Sequence, residues 1–198
     1  MTNQLERLEE ILQERGILRV GELAPMGFPP SYLSELEKRE KAIKHARGVY
    51  MHPDADIPNH YSLALACQQS PNGVICLLSA LAYHEIGTQN PQEVWLAIDR
   101  KAKAPVMDYP PLRLLRFSGD ALSEGIETTE EPFPIRVTTP AKTIADCFKF
   151  RNKIGLDVAI EALREGWRQQ RFKINELDHY AKICRVSKVI TPYLDAIL

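Results

Sequence analysis

Between Lys38 and Arg47 the sequence sets five basic side chains, Lys38, Arg39, Lys41, Lys44 and Arg47, against one acid, Glu40. Such a run makes and breaks no bonds; its chemistry is the neutralisation of phosphates or other anions. A second surplus lies between Lys149 and Lys188, where ten bases face five acids and Arg168, Arg171 and Lys173 gather around Trp167 and Phe172. Cations beside aromatic rings stack on and neutralise nucleic acid, whereas Trp167 also continues an apolar helical stripe that belongs in a core. From Gly119 to Glu131 the sign reverses, with Asp120, Glu124, Glu127, Glu130 and Glu131 and no base.

Two groupings invite a catalytic reading. Asp99-Arg100-Lys101 follows the apolar Val94–Ile98, the order in which restriction-type nucleases present a carboxylate and a lysine to Mg²⁺ and water. That chemistry needs a second carboxylate, for which Glu85 is the candidate. Thr139 and Asp146 are the other pair, but Thr139-Pro140 is also a good helix start, and Asp146 can accept a hydrogen bond from a neighbouring element. The histidines are dispersed and the four cysteines form no C-x-x-C pair, so no catalytic, metal or cofactor site is expected.

With 44% hydrophobic and 26% charged residues, the chain has the composition of a globular protein. A net charge of −1 carries no whole-chain signature of nucleic-acid binding, so any such signal is local. The first residues lack the basic start and apolar run of a signal peptide, and Val74–Tyr83 is too short to span a bilayer. A cytoplasmic protein without membrane contact is expected.

The elements that must hold these residues can be read from spacing. Leu5, Leu8 and Leu12 form one stripe of a first helix that Gly16 ends. Val20 to Ala24 predicts a second, brief helix, and after the breakers Pro25, Gly27 and Pro29 a third starts near Pro30 with Leu33 and Leu36 inward. Ala42–Lys44 and Val49–Met51 predict strands around a turn in which Gly48 takes positive φ. Helix, helix, turn, helix and hairpin make a winged helix-turn-helix. Ser31, Tyr32, Ser34, Lys38 and Arg39 then face base edges or phosphates, and Lys44, His45 and Arg47 occupy the wing.

Pro53–Pro58 reads as a linker before a helix at Tyr61–Gln69. Beyond it come a buried segment, Val74–Leu78, a helix at Ser79–Ile86, strands at Val94–Ile98, Leu112–Phe117 and Ile135–Thr138, and a loop or hairpin in the acidic stretch. A helix over Ala141–Phe150, the stripe Leu156 to Trp167, and helices near Ile174–Ile183 and Ile190–Leu198 complete the chain. The fold expected is α+β: a winged helix-turn-helix over residues 1–53 and a mixed α/β domain over 54–198.

Three stretches carry a family resemblance. They are the leading helix-turn-helix ending in Arg47-Gly48-Val49-Tyr50; Ile75-Cys76-Leu77-Leu78-Ser79-Ala80-Leu81 with Tyr83-His84; and Thr139-Pro140-Ala141-Lys142-Thr143-Ile144-Ala145-Asp146. In combination and order they resemble the AbiEi abortive-infection antitoxins, transcriptional regulators of type IV toxin–antitoxin pairs. The resemblance implies an autorepressor that binds double-stranded DNA at inverted repeats, and a C-terminal antitoxin-type domain acting against a nucleotidyltransferase-type toxin. Where such proteins often carry a glycine between the third helix and the wing, this chain has Glu40-Lys41. Two other readings remain at this point: a Mg²⁺-dependent nuclease centred on Asp99 and Lys101, and a winged-helix adaptor that binds protein only.

Overall fold

A computed structural model describes residues 4–46, 48–55, 60–129 and 134–197. The chain forms two compact units, Met1–Tyr61 and Ser62–Leu198, and both helices and sheets are present, a mixed α+β content.

The first unit runs α1 (Gln4–Arg15), β1 (Ile17–Arg19), α2 (Val20–Leu23), α3 (Ser31–Lys38), β2 (Ile43–Ala46), β3 (Val49–Met51). Leu5, Leu8 and Leu12 of α1 are buried against Leu18, Leu23, Phe28, Leu33, Leu36 and Tyr50. Each fully buried leucine contributes about 1.5–3 kcal/mol by leaving water. Gly16, at φ 73°, stops α1 and turns the chain into β1. Spacing alone predicts no strand between Gly16 and the second helix. β1 exists because β3 offers it a ladder: Ile17 pairs with Met51, Leu18 with Tyr50 and Arg19 with Val49. β3 is thus the middle strand of an antiparallel sheet, order β1-β3-β2.

The stop of α3 is sharper than its sequence suggests. Glu40 takes φ 59°, the left-handed conformation that glycine adopts most readily. The amide of Lys41 then reaches back to the Leu36 carbonyl at 2.9 Å, closing a helix end and aiming the chain into β2.

Apart from its first residue, α4 (Tyr61–Gln69) belongs to the second unit, which continues with β4 (Val74–Ile75), α5 (Leu77–Tyr83), β5 (Val94–Asp99), β6 (Leu112–Phe117), α6 (Asp120–Ser123), β7 (Ile126–Thr128) and β8 (Arg136–Thr138). Five helices follow: α7 (Pro140–Lys149), α8 (Arg151–Ile154), α9 (Leu156–Arg168), α10 (Ile174–Cys184) and α11 (Ser187–Asp195). Its mixed five-stranded sheet has the order β6-β5-β4-β8-β7. The segment Val74–Leu78, expected as one buried element, is a two-residue strand followed by a helix that starts at Leu77. The acidic stretch holds a short helix, and β7 pairs antiparallel with β8; Glu130 and Glu131 lie outside the described residues, as do residues 56–58 of the expected linker.

Both faces of the sheet are covered, which is why β5 reads as an unbroken apolar run. Val94, Leu96 and Ile98 pack with Ala64, Ala66 and Cys67 of α4. Trp95 and Ala97 point the other way, into a larger core with Ile144 and Phe148 of α7, Leu163 of α9 and Leu177 of α10.

His84 ties α5 to the sheet: its Nε2 lies 2.7 Å from the Thr138 carbonyl oxygen. A carbonyl only accepts, so Nε2 carries the proton and the neutral ring leaves Nδ1 bare, 3.7 Å from Glu127. Burial pulls the imidazole below its ordinary value, outweighing the upward pull of the Thr138 bond and Glu127, while Arg171 adds to the lowering. The unfolded chain therefore binds more protons than the folded one, and stability rises with pH through this window. Thermal unfolding followed from pH 7.5 to 5 should show the melting temperature falling once the pH drops below about 6.5, the unfolded value. In His84→Gln that slope should flatten; an unchanged slope would assign it to other groups.

Candidate nucleic-acid interface

The basic run starts on α3 and ends in the β2–β3 hairpin. α3 turns Leu33 and Leu36 into the core of the first unit and leaves Ser31, Lys38 and Arg39 exposed. Tyr32 is half-buried, with its hydroxyl donating to Gln4 of α1 at 3.4 Å. Ser34 is turned toward the sheet, where its hydroxyl shares a hydrogen bond with the Tyr50 hydroxyl at 3.1 Å. Tyr50 is buried in β3, so this bond fixes the rotation of α3 on the sheet. Tyr50 was not among the expected site residues; its place opposite Lys44 in the hairpin register is not visible in sequence.

The ion pairs sort the cations. Arg39 pairs with Glu35 at 3.2 Å, one helical turn back, and Lys41 reaches across to Glu9 of α1 at 2.9 Å. Exposed pairs of this kind are worth about 0–1 kcal/mol, so either cation can exchange its carboxylate for a phosphate at little cost. Lys38 and Lys44 are exposed and form no ion pair among the described residues. His45 is exposed on β2. Arg47 lies outside the described residues. Gly48 takes φ 74° at the turn, and its carbonyl accepts from the Val20 amide at 2.8 Å, which anchors the hairpin tip to α2.

The other expected sites are dispersed in the second unit. Arg168 is held by Glu165 at 2.6 Å, and Arg171 donates to the Gln169 side chain at 3.2 Å. Lys173 is exposed at the start of α10, where its amide is capped by Glu176 at 3.0 Å. Trp167 is half-buried and packs toward Phe172, centroids 6.0 Å apart. Asp99 ends β5 and accepts a hydrogen bond from the Lys101 amide at 2.8 Å, which gives its carboxylate a turn-closing role. Glu85 sits at a left-handed helix end, φ 57°. Among the described residues no group of three or more His, Cys, Asp or Glu is placed to hold a metal ion, and no helix is long and apolar enough to cross a membrane.

The polar motif beginning at Thr139 is a core element. Lys142 and Asp146, one turn apart on α7, are fully buried and paired. Cys184 of α10 donates its thiol to the other Asp146 oxygen at 3.1 Å. Burial pushes the Asp146 carboxyl up, and the Lys142 ammonium beside it pulls back. Thr139 opens the helix by position alone: its hydroxyl makes no cap bond and has no partner among the described residues.

Residues 6–53 match the family described as transcriptional regulator, AbiEi antitoxin. The match lies within the first unit. The matched segment runs from α1 past β3, so it contains every element that positions the basic run. The family is described as one of transcriptional regulators and antitoxins. No curated protein matches the chain.

Proposed function

We propose that the protein is a sequence-specific DNA-binding autorepressor and the antitoxin of a type IV toxin–antitoxin pair. Its first unit works as a winged helix-turn-helix: α3 enters the major groove and the β2–β3 hairpin follows the flanking backbone. The observation that carries the reading is the disposition of Lys38 and Lys44. They are exposed cations that form no ion pair among the described residues, one on the helix and one on the hairpin of a segment matched by the AbiEi family. In this reading Ser31, Tyr32 and Arg39 supply further contacts, Ser34 sets the helix angle, and His45 and Arg47 extend the wing. The DNA target is an inverted repeat upstream of the protein's own gene. The functional partner is a nucleotidyltransferase-type toxin, opposed by a C-terminal domain spanning residues 54–198, and the site of action is the cytoplasm. Arg168, Arg171 and Lys173 are a secondary basic surface in this scheme.

Fluorescence anisotropy of the full chain on upstream DNA and on a scrambled duplex, across a salt series, tests it. The upstream duplex should bind roughly a thousandfold tighter or more. Lys38→Ala with Lys44→Ala should reduce the slope of log K against log salt by about two. Equal, weak binding of both duplexes, or a double variant with an unchanged slope, would remove the repressor reading and leave the protein-only adaptor.

A further inference from the structure

A cavity of about 420 Å³ lies wholly within the second unit, lined by Ser118, Asp120, Ala121, Lys149, Ile183, Cys184 and Arg185. No residue of α3 or the hairpin lines it. Lys149 sits in the last turn of α7 and Arg185 just past the end of α10. Neither forms an ion pair among the described residues. The Lys149 ammonium stands 5.6 Å from the centre of the Phe117 ring and 5.9 Å from that of Phe150, and those rings stack on each other at 5.3 Å. Attraction to the ring faces holds this cation in place before any ligand arrives.

The charges select a ligand class. Cys184, which lines the cavity, turns its thiol inward to Asp146, whose charge the buried Lys142 balances. Around the opening, Lys149 and Arg185 outnumber Asp120 by one positive charge. Two cations with three-fold and fork-shaped donor sets suit a phosphate dianion. Asp120 disfavours a bare anion but accepts hydrogen bonds from hydroxyls next to the phosphate, as a carboxylate does with a ribose diol. Ala121 and Ile183 provide an apolar wall for a base, and the volume is in the range of small-ligand sites. We propose that this cavity binds a nucleoside monophosphate, with the phosphate on Lys149, Arg185 and Ser118 and the ribose hydroxyls on Asp120.

The Arg185 backbone offers a clean control. It has φ 59°, and the Val186 amide closes the helix end on the Ala181 carbonyl at 2.8 Å, the position at which glycine is preferred. Arg185→Gly therefore deletes the guanidinium without weakening the fold. Titration calorimetry of the full chain should give saturable binding of adenosine 5′-monophosphate with Kd below about 1 mM, at least tenfold tighter than inorganic phosphate or adenosine. Arg185→Gly, melting at or above the wild-type temperature, and Lys149→Ala should each weaken it tenfold or more. Asp120→Asn should erase the preference for the nucleotide over phosphate. Amide NMR shifts on titration should centre on 118–121, 149 and 183–185. Absence of saturation, binding indifferent to these three substitutions, or shifts centred on α3 would overturn the assignment.

Discussion

Lys142→Met is expected to lower the unfolding free energy of the second unit by about 3–5 kcal/mol, the usual cost of leaving half of a buried ion pair uncompensated. Lys142 and Asp146 are both fully excluded from solvent. A Cβ placed on Gly125 would lie 2.8 Å from the Lys142 Cβ and 2.8 Å from the Tyr180 ring, so the Lys142 stem is tightly packed against that backbone. Asp146 would answer by taking a proton. Its folded pKa, already raised by burial, would rise further without the ammonium, so the folded variant would bind more protons than the unfolded chain. By linkage the Lys142→Met variant should regain stability as the pH falls, the opposite trend to that expected from His84. Urea unfolding at pH 7.5 and pH 5 measures both effects. Lys142→Met combined with Asp146→Leu should recover most of the loss, because two apolar side chains need no partner. A single variant as stable as the wild type would mean that the pair reaches water after all.

The second large effect belongs to the first unit. Leu33 of α3 is fully buried, and Leu33→Ala is expected to cost about 2–5 kcal/mol. A unit confined to Met1–Tyr61 buries a smaller fraction of its surface than a larger domain and has only a few kcal/mol to lose, so the loss should unfold it at or near 37 °C. Both tryptophans, Trp95 and Trp167, lie in the second unit. Far-ultraviolet circular dichroism should therefore show an early, separate transition while tryptophan emission keeps its wild-type midpoint. DNA affinity should vanish with the early transition. A single transition seen equally by both probes would show the two units to unfold as one.

What the sequence revealed depended on where the information resides. The stripe Leu5, Leu8, Leu12, the breaker-rich turn before α3 and the Thr139-Pro140 helix start are local signals, and the elements they predict are present. β1 was missed because three residues have no period; only its ladder to β3 makes it a strand. β4 and α5 were run together because a continuous apolar segment looks the same whether it extends or coils. The basic run was legible as composition, but its division into Arg39 and Lys41, which are paired, and Lys38 and Lys44, which form no ion pair among the described residues, rests on Glu35, one turn away, and on Glu9 in another helix. Lys142 and Asp146 had the spacing of an ordinary exposed i,i+4 pair. Their burial comes from helices and loops far along the chain, among them α10 with Cys184 and the backbone at Gly125.

The pairing of β4 with β8 has a consequence for how the polypeptide is made. Ile75 and Val137 are partners in a parallel ladder at the heart of the five-stranded sheet. At a synthesis rate of about 5–20 residues per second, β8 leaves the ribosome roughly 3–12 s after β4. During that interval the first unit already has all its partners, whereas the β4–β5–β6 half-sheet stands with one edge open and one face still waiting for α7, α9 and α10. The nascent chain thus presents a finished basic module ahead of an unfinished apolar one, and this half-sheet is where a chaperone would have the most to hold.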